Sequence, residues 1–281
     1  MVENQQHTLG LAALMHPKIH ADPYLYYHRL RETDPVLRDE ELRMWVLTQY
    51  TDVASLLRDP RFVADRIEPA MEGLEEAGLT PLRPLYHFLG DMMLFSDPPK
   101  HTRLRRLVNK AFTPRVIEAM RSQIQEQVDQ LLDAVWSSGR MDVIRDLAYP
   151  LPTTVIAQML GVPPQDRDRF KAWSDDLAVF LGQFQPSEEQ MAQTLRSIQE
   201  ISDYFRDTVA DLRRTPRDNL LSALARAEDE GDVLNEQELL ANAMLLLAAG
   251  HETTTNLIAN GLLALLQHPD QLRLLQDDPT L

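Results

Sequence analysis

The sequence contains no cysteine among its 281 residues. That absence excludes disulfide bonds, thiolate metal ligands and a cysteine nucleophile from these residues. Acidic residues outnumber lysine and arginine, which leaves a formal net charge of −15. A chain with this charge is a poor general binder of nucleic acids or of anionic membranes, because both carry the same sign of charge.

Membrane-spanning and secretory signals are also missing. The longest uninterrupted apolar run, Ala243–Gly250, is too short to cross a bilayer. The N-terminal residues MVENQQHTLG contain no charged segment followed by an apolar one, so we see no signal peptide. We therefore expect a cytoplasmic protein with neither nucleic-acid nor membrane partners.

Several catalytic motifs are absent as well. The sequence has no Gly-x-Gly-x-x-Gly, no Walker loop, no His-Glu-x-x-His and no Gly-x-Ser-x-Gly. Nucleotide-binding, zinc-protease and serine-hydrolase functions therefore lack support.

What the sequence does contain is one long helical segment, Glu236–Gln267, around which the rest is organised. Asn235 followed by Glu238 three residues later is a capping-box variant and predicts the helix start, and His268-Pro269 predicts its end. Apolar residues occur on nearly all faces, which predicts burial in a large core.

The middle of this segment breaks its own pattern with Ala249-Gly250-His251-Glu252-Thr253-Thr254-Thr255. Glycine in a helix interior costs about 1 kcal/mol relative to alanine. Ala249, Gly250 and Thr253 share one face and form a shallow notch. The notch is either a packing groove, with the threonines bonded to i−4 carbonyls, or a site where an acid and an alcohol deliver protons to a bound group. Glu252 favours the second interpretation, because a buried carboxylate is costly without a partner or a task.

A second motif, Ser96-Asp97-Pro98-Pro99-Lys100-His101-Thr102-Arg103-Leu104-Arg105-Arg106, predicts a basic helix. Asp97 is its expected cap and Pro98 its first residue. His101 and Arg105 are one turn apart and can hold the same anionic group. The surrounding positive charge is either a solvated helix face or a surface for an acidic partner.

The remaining pattern is overwhelmingly helical. A β-hairpin is expected from Val36-Leu37 and Met44–Leu47, on either side of the charged turn Asp39-Glu40-Glu41. Helices are expected at Pro23–Glu32, from a Thr51 cap to Leu57, from Thr113-Pro114 to Gly139, at Asp146–Leu160, Gln165–Leu181 and Ser187–Leu212, from Thr215-Pro216 to near Gly231, and at Pro269–Gln276. The weakly patterned stretch from Val63 to Phe95 is either a lid or binding loop, or a tolerated surface insertion.

The two motifs together, in this order, resemble cytochrome P450, the family of haem-thiolate monooxygenases. Ala249–Thr254 resembles the family's oxygen-binding helix, and His101–Arg105 resembles the helix that holds the haem propionates. The resemblance covers essentially the whole chain and is closest to the soluble bacterial members. It implies a mainly α, cytochrome P450-like fold with a small hairpin near the N-terminus. Residues 1–281 would form a single incomplete domain that stops one short helix after the oxygen-binding helix.

The resemblance also implies a function. A haem b enzyme would insert one oxygen atom of O2 into a small hydrophobic organic substrate. His101 and Arg105 would hold the propionates, and the distal haem face would meet residues of the central helix: Leu245, Ala248, Ala249, Gly250 and Thr253. Thr253 and Glu252 would be catalytic, the first by a hydrogen bond to the bound oxygen and the second by relaying protons.

Substrate and electron donor are implied in the same way. The substrate pocket would include Leu94, Leu245 and Ala248, with the Val63–Phe95 and Gly182–Pro186 segments as a mobile lid. Electrons would come from an acidic ferredoxin or flavodoxin with its reductase. This partner would dock on the basic face around Arg103, Arg106 and Lys110.

The sequence departs from the family in one respect. The family's Glu-x-x-Arg helix and the loop with the cysteine ligand to iron are not present, so we expect a truncated chain that is inactive by itself. The alternative is an all-helical ligand-binding or regulatory module without haem chemistry.

Overall fold

The computed structural model describes residues 10–40, 42–183, 186–229 and 231–280. Within these residues helices dominate, and strands occur only in two small hairpins. The chain divides into two compact units, Met1–Val63 and Ala64–Leu281. The prediction of a mainly α fold with a hairpin near the N-terminus is confirmed, whereas one domain over residues 1–281 stays a prediction.

The first unit contains three short helices and one hairpin. After a 3-10 turn at Leu11–Met15, its elements are α1 (Pro17–Ala21), α2 (Tyr24–Thr33), β1 (Val36–Asp39), β2 (Met44–Leu47) and α3 (Tyr50–Leu56). The strands pair antiparallel, with Val36 opposite Leu47 and Asp39 opposite Met44, as the predicted hairpin requires. Glu41 of the turn lies outside the described residues. The predicted Thr51 cap is wrong, because Gln49 has the extended backbone of an N-cap and the helix already begins at Tyr50.

The second unit holds the remaining helices. They are α4 (Ile67–Glu76), α5 (Arg83–Gly90), α6 (Lys100–Ala111), α7 (Pro114–Trp136), α8 (Pro150–Met159), α9 (Arg167–Gly182), α10 (Glu188–Arg214), α11 (Leu220–Arg226), α12 (Glu236–Gln267) and α13 (Pro269–Asp277). Short 3-10 turns occur at Thr80–Leu82, Met93–Phe95 and Pro164–Asp166, and a π-helical turn occurs at Ile144–Ala148. A small hairpin, β3 (Glu228–Asp229) and β4 (Asp232–Val233), precedes α12.

The central helix is α12, and its predicted bounds are confirmed. The Asn235 side chain accepts from the Glu238 N–H, and the Glu238 carboxylate accepts from the Asn235 N–H. Burial on all faces is correct only for the first half, which packs against α5, α8, α9, α10 and α11. Beyond Thr255 the outward leucines are exposed, Leu257 to 72%. Apolar periodicity reveals which side chains can be buried, but burial also requires a neighbouring element.

The stretch between Val63 and Phe95 is more ordered than expected. It forms α4 and α5, whose Leu74, Leu85 and Leu89 are buried in the main core. The glycines and prolines concealed this pattern, since Gly73 is accommodated within α4 and Pro84 lies in the first turn of α5, where proline is tolerated. The second proposed lid segment includes residues 184 and 185, which lie outside the described residues.

Two predicted helix starts are wrong. Asp97 does not cap α6, which begins at Lys100 after Pro99. Its carboxylate instead accepts hydrogen bonds from the backbone N–H groups of Ala64 and Asp65 at 2.9 and 3.0 Å. The helix expected from Thr215-Pro216 begins only at Leu220, because Asn219 supplies the cap, and a hairpin takes the place of its predicted end.

Candidate functional site

Three consecutive threonines in the middle of α12 bond back to their own helix. The hydroxyls of Thr253, Thr254 and Thr255 donate to the carbonyl oxygens one turn earlier, at 2.6, 3.0 and 2.8 Å. This is the pattern that the packing interpretation predicted. Thr253 is nevertheless exposed, and its oxygen keeps lone pairs for a further donor. The back-bond therefore leaves the Thr253 hydroxyl accessible to a ligand.

The burial of Glu252 and of its neighbour His251 differs from the expectation. We expected a buried carboxylate, but Glu252 is exposed and His251 is buried. The neighbour His251 is the one that packs against α9, where its ring contacts Ser174 and Asp175. The burial cost that favoured a catalytic Glu252 therefore does not apply. An exposed carboxylate next to Thr253 can, however, exchange protons directly with solvent.

Gly250 faces Ile156 of α8. A Cβ atom added at this position would lie 3.4 Å from two carbon atoms of the Ile156 side chain, which is ordinary contact. Packing against α8 therefore does not by itself require glycine here. The helix interior carries the cost of Gly250 without a steric reason within this unit.

This geometry predicts that Gly250→Ala stabilises the chain. The unfolding free energy should rise by about 0.5–1 kcal/mol, because alanine is the better helix former. Gly261→Ala is the matched control, since it lies in the same helix with nothing within 4 Å of an added Cβ. Chemical denaturation of both variants measures the effect. If Gly250→Ala destabilises while Gly261→Ala stabilises, the notch is a packing groove.

His251 belongs to a polar cluster that joins α12 to α9. Its Nδ1 lies 2.9 Å from the Ser174 hydroxyl, and its Nε2 lies 3.2 Å from the Asp175 carboxylate. The Tyr149 hydroxyl donates to the same carboxylate at 3.0 Å, and the Lys171 ammonium lies 4.6 Å from the Tyr149 ring centre. Sequence reasoning missed this cluster, because Ser174 and Asp175 lie 77 and 76 residues from His251 and form no local pattern with it.

Two tyrosine hydroxyls donate hydrogen bonds to carboxylates. Burial, followed by the hydrogen bond to Asp175, raises the pKa of Tyr149. Burial and the hydrogen bond to Asp166 raise the pKa of Tyr204 to about 12. In both cases the folded protein holds the phenolic proton more tightly than the unfolded chain does.

The unfolding free energy should therefore decrease at alkaline pH. The contribution of these two tyrosines is fully present below about pH 10, the usual tyrosine pKa, and is lost as the pH rises through the folded-state values. Tyr149→Phe combined with Tyr204→Phe should flatten this decrease between about pH 10 and 12. Tyr50→Phe, at a position 83% exposed, is the control. An unchanged slope in the double variant would contradict this prediction.

An apolar hollow of about 400 Å³ opens beside the notch. Leu246, Ala249, Gly250 and Thr254 line one side, and Phe112 with residues of α7 and α8 lines the other. Its volume lies within the range of about 300–1,000 Å³ typical of small-molecule sites. Neither Thr253 nor the motif residues of α6 line this hollow.

The other predicted pocket residues divide into two groups. Leu245 and Ala248 are buried in the main hydrophobic cluster. Leu94 follows directly after Met93 in the 3-10 turn and is 49% exposed. Only Leu94 of the three therefore presents its side chain substantially to solvent.

On α6, His101 is half-buried and Arg105 is exposed. No described residue forms a hydrogen bond or an ion pair with either side chain. The helix places the two on one face, as the i, i+4 spacing predicted. They are a pair of donors available to an anionic group.

Arg103 has a different role from its neighbours. Its guanidinium donates to the carboxylate of Glu238 and, at 3.3 Å, to that of Asp232. The Glu238 side chain is only 6% exposed and also accepts from the Asn235 N–H. The charge of Arg103 is thus used to join α6 to the start of α12. Arg106 and Lys110 are exposed on the same helix.

Within the described ranges, no group of three or more histidine, aspartate or glutamate side chains is arranged to hold a metal ion. The helices of these ranges also include none long and apolar enough to cross a membrane.

Both the sequence and the fold are similar to those of known proteins. The family described as Cytochrome P450 matches residues 37–278. Cytochrome P450 CYP107DY1 of Priestia megaterium is 40% identical over 91% of this chain and 64% of its own length. Cytochrome P450 monooxygenase PikC of Streptomyces venezuelae is 44% identical over 93% of this chain and 60% of its own length.

Solved structures agree with the sequence comparison. The crystal structure of P450BioI, in complex with a hexadec-9Z-enoic acid ligated acyl carrier protein, superposes with a TM-score of 0.83 at 35% identity. The match covers 94% of this chain and 67% of that one. The chain thus spans about 60–64% of the length of the two relatives described above. It belongs to the cytochrome P450 family.

Proposed function

We propose that this chain carries the distal haem surface and the propionate-binding helix of a haem-dependent monooxygenase. The observation that supports this most strongly is the notch in α12, an open step at Ala249–Gly250 beside the exposed Thr253 hydroxyl in a helix whose first half is otherwise buried. Packing against Ile156 does not require that step. Family membership argues against the alternative of a helical module without haem chemistry.

Haem b would need donors for its propionates, space at its distal face and a thiolate ligand to its iron. The residues present fit the first two of these requirements. His101 and Arg105, which have no side-chain partner among the described residues, are donors suited to two carboxylates, and charge-assisted bonds of this kind are among the stronger ones. Ala249 and Gly250 leave room where larger side chains would intrude. The third requirement, a thiolate ligand to iron, has no counterpart in these 281 residues, because they contain no cysteine. When bound with that ligand, haem supplies the activation of O2 with two electrons for substrate oxidation.

The roles of Thr253 and Glu252 follow from their exposure. The Thr253 hydroxyl donates to Ala249 but can accept from water or a protonated group, so it can pass a proton across the notch. The Glu252 carboxylate can take protons from solvent and release them one residue away from that hydroxyl. Together they would form a short route from solvent to the distal surface.

The substrate would be a small hydrophobic organic molecule. Leu94 presents an apolar side chain in the middle of the 3-10 turn, whereas Leu245 and Ala248 of α12 are packed in the main hydrophobic cluster. Shape and apolar contact would therefore select the substrate.

The electron donor would be an acidic ferredoxin or flavodoxin with its reductase. In a chain with a net charge of −15, the exposed Arg106 and Lys110 form a local region of opposite sign. Arg103 of the same helix is bound to Glu238, which uses part of its charge. Complementary charge of this kind accelerates docking and weakens with salt.

Haem retention tests the proposal. The test protein is a chimaera in which residues 1–281 are continued by the corresponding C-terminal part of PikC, which extends beyond the matched region. His101→Ala combined with Arg105→Ala should lower its haem content several-fold at unchanged helicity, because two charge-assisted hydrogen bonds of roughly 1.5–3 kcal/mol each are lost. Haem absorbance per mole of protein and far-ultraviolet circular dichroism are the measurements.

The control for this prediction is Arg121→Ala on α7, which removes an exposed cation paired only with Glu118. It should leave haem content unchanged. Full haem occupancy in the double variant would remove His101 and Arg105 from the cofactor site.

A further inference from the structure

Asn242 of α12 is a completely buried polar side chain that the proposed chemistry does not use. Its neighbours Ala241 and Ala243 are buried as well, so it lies within the apolar core. A buried amide without hydrogen bonds is strongly unfavourable. The partners that Asn242 has found therefore indicate its role.

Two of those partners are backbone groups of Asp91 and Met93, and the third is a backbone carbonyl of α12 itself. The Asn242 Oδ1 accepts from the Met93 N–H at 3.0 Å. Its Nδ2 donates to the Asp91 carbonyl at 2.9 Å and to the Glu238 carbonyl, one turn back in its own helix, at 2.7 Å. The amide thus both accepts from and donates to the backbone of the segment that joins α5 to the 3-10 helix Met93–Phe95.

A second helix holds the same turn. The Lys100 ammonium of α6 donates to the Gly90 carbonyl at 2.8 Å and to the Asp91 carboxylate at 2.9 Å. The turn is therefore fixed to α12, which carries Thr253, and to α6, which carries the proposed propionate donors. Leu94 lies next to Met93 in the 3-10 helix that follows.

Helical geometry relates Asn242 to the notch. Ala249 and Thr253 follow it by seven and eleven residues, which at about 100° per residue places all three within roughly 40° on one face of α12. At about 1.5 Å per residue, Thr253 lies roughly 16 Å further along the axis. The face that presents the Thr253 hydroxyl is thus the face to which the Leu94 segment is bound.

We infer that Asn242 is a positioning residue for substrate selectivity. It holds the Asp91–Phe95 segment, and with it Leu94, in a defined place relative to Thr253, without contacting the substrate itself. This inference rests on the proposed function, in which Leu94 lines the substrate pocket. Losing both bonds to the turn should increase the population of displaced segments about 10- to 100-fold, because a buried N–H and a buried C=O lose their partner.

The absence of cysteine makes this measurable by site-specific spin labelling. Labels at Leu94→Cys and at Asn256→Cys, an exposed position on α12, report the distance from the segment to the helix by pulsed electron paramagnetic resonance. The distribution should be narrow with Asn242 and broad with Asn242→Leu. Asn260→Leu, an exposed asparagine of the same helix, is the matched control and should leave it narrow.

A second pair of labels separates local from general loosening. Thr102→Cys on α6 and Asn256→Cys avoid the segment, so their distance distribution should not change in Asn242→Leu. Equal broadening of the two distance distributions would show that Asn242 only stabilises the fold. An unchanged distribution for the Leu94 label would show that Asn242 does not hold the Asp91–Phe95 segment. Either result overturns the inference.

Asn242→Asp supplies a conservative rescue. A protonated carboxyl can accept from Met93 and donate to the Asp91 carbonyl, whereas an ionised one cannot donate, so the Leu94 distribution should narrow as the pH falls. Burial raises the pKa of the new carboxyl above its usual value of about 3.9. The parent chain, measured at each pH, is the control for effects of the charged neighbours, which are Asp91, Lys100, Glu238 and Arg103.

Selectivity itself is tested in the haem-loaded chimaera. With dodecanoic acid and testosterone as probes, Asn242→Leu should change the ratio of their KM values several-fold, with a smaller change in the ratio of their kcat values. An unchanged KM ratio would overturn the role in selectivity. Failure of the chimaera to take up haem would contradict the proposed function instead, and the label distances, measured without haem, would still decide whether Asn242 holds the segment.

Discussion

Thr253→Ala in the haem-loaded chimaera should separate reductant consumption from product formation. The variant removes the hydroxyl from the notch but leaves Ala249 and Gly250 unchanged, so oxygen can still be reduced. We expect the ratio of hydroxylated product to reductant consumed to fall by about 10²-fold, the lower end of contributions from general acid–base groups, with hydrogen peroxide released instead. Product, reductant and peroxide are measured in the same reaction.

Thr254→Ala is the matched control, because that residue is also exposed and makes the same bond to an i−4 carbonyl. It should leave the ratio close to that of the parent. Glu252→Gln should fail differently, since it removes the proton source and therefore slows oxygen consumption itself. If Thr253→Ala changes neither ratio nor rate, the Thr253 hydroxyl serves only to bend or stabilise the helix.

Arg103→Ala should cause the largest loss of stability among the charged-residue variants. It leaves the Glu238 carboxylate, 6% exposed, without its cation. Removing one partner of a buried ion pair costs about 3–5 kcal/mol, and we expect about 3 kcal/mol because Arg103 is itself 28% exposed. The unfolding free energy from urea denaturation measures this loss.

Arg121→Ala is again the control, because both members of its pair with Glu118 are largely exposed and such pairs contribute about 0–1 kcal/mol. Combining Arg103→Ala with Glu238→Gln should recover part of the lost stability, since no buried charge then remains unpaired. If Arg103→Ala lowers the unfolding free energy no more than Arg121→Ala does, the contact of Arg103 with Glu238 is not stabilising.

The features predicted correctly from sequence are those encoded locally. The bounds of α12 depend on Asn235, Glu238 and Pro269, all within a few residues of the helix ends. The first hairpin likewise depends on two apolar runs and the turn between them. The i, i+4 placement of His101 and Arg105 requires only that the segment be helical.

The features missed from sequence depend on distant partners. Asp97 could be taken for a helix cap because its actual partners, the N–H groups of Ala64 and Asp65, are more than 30 residues away. Arg103 could be taken for a docking residue because Glu238 is 135 residues away. The sequence places Glu252 and His251 side by side, but only the packing of α9 against α12 determines which one is buried.

A crystal structure of the haem-loaded chimaera would test the central claim most directly. We predict both propionates within about 2.7–3.2 Å of donor nitrogens of His101 and Arg105. We also predict that the distal haem face lies against Ala249, Gly250 and Thr253. Haem held at another surface, with His101 and Arg105 still unpaired and the notch in α12 covered by protein side chains, would contradict the account.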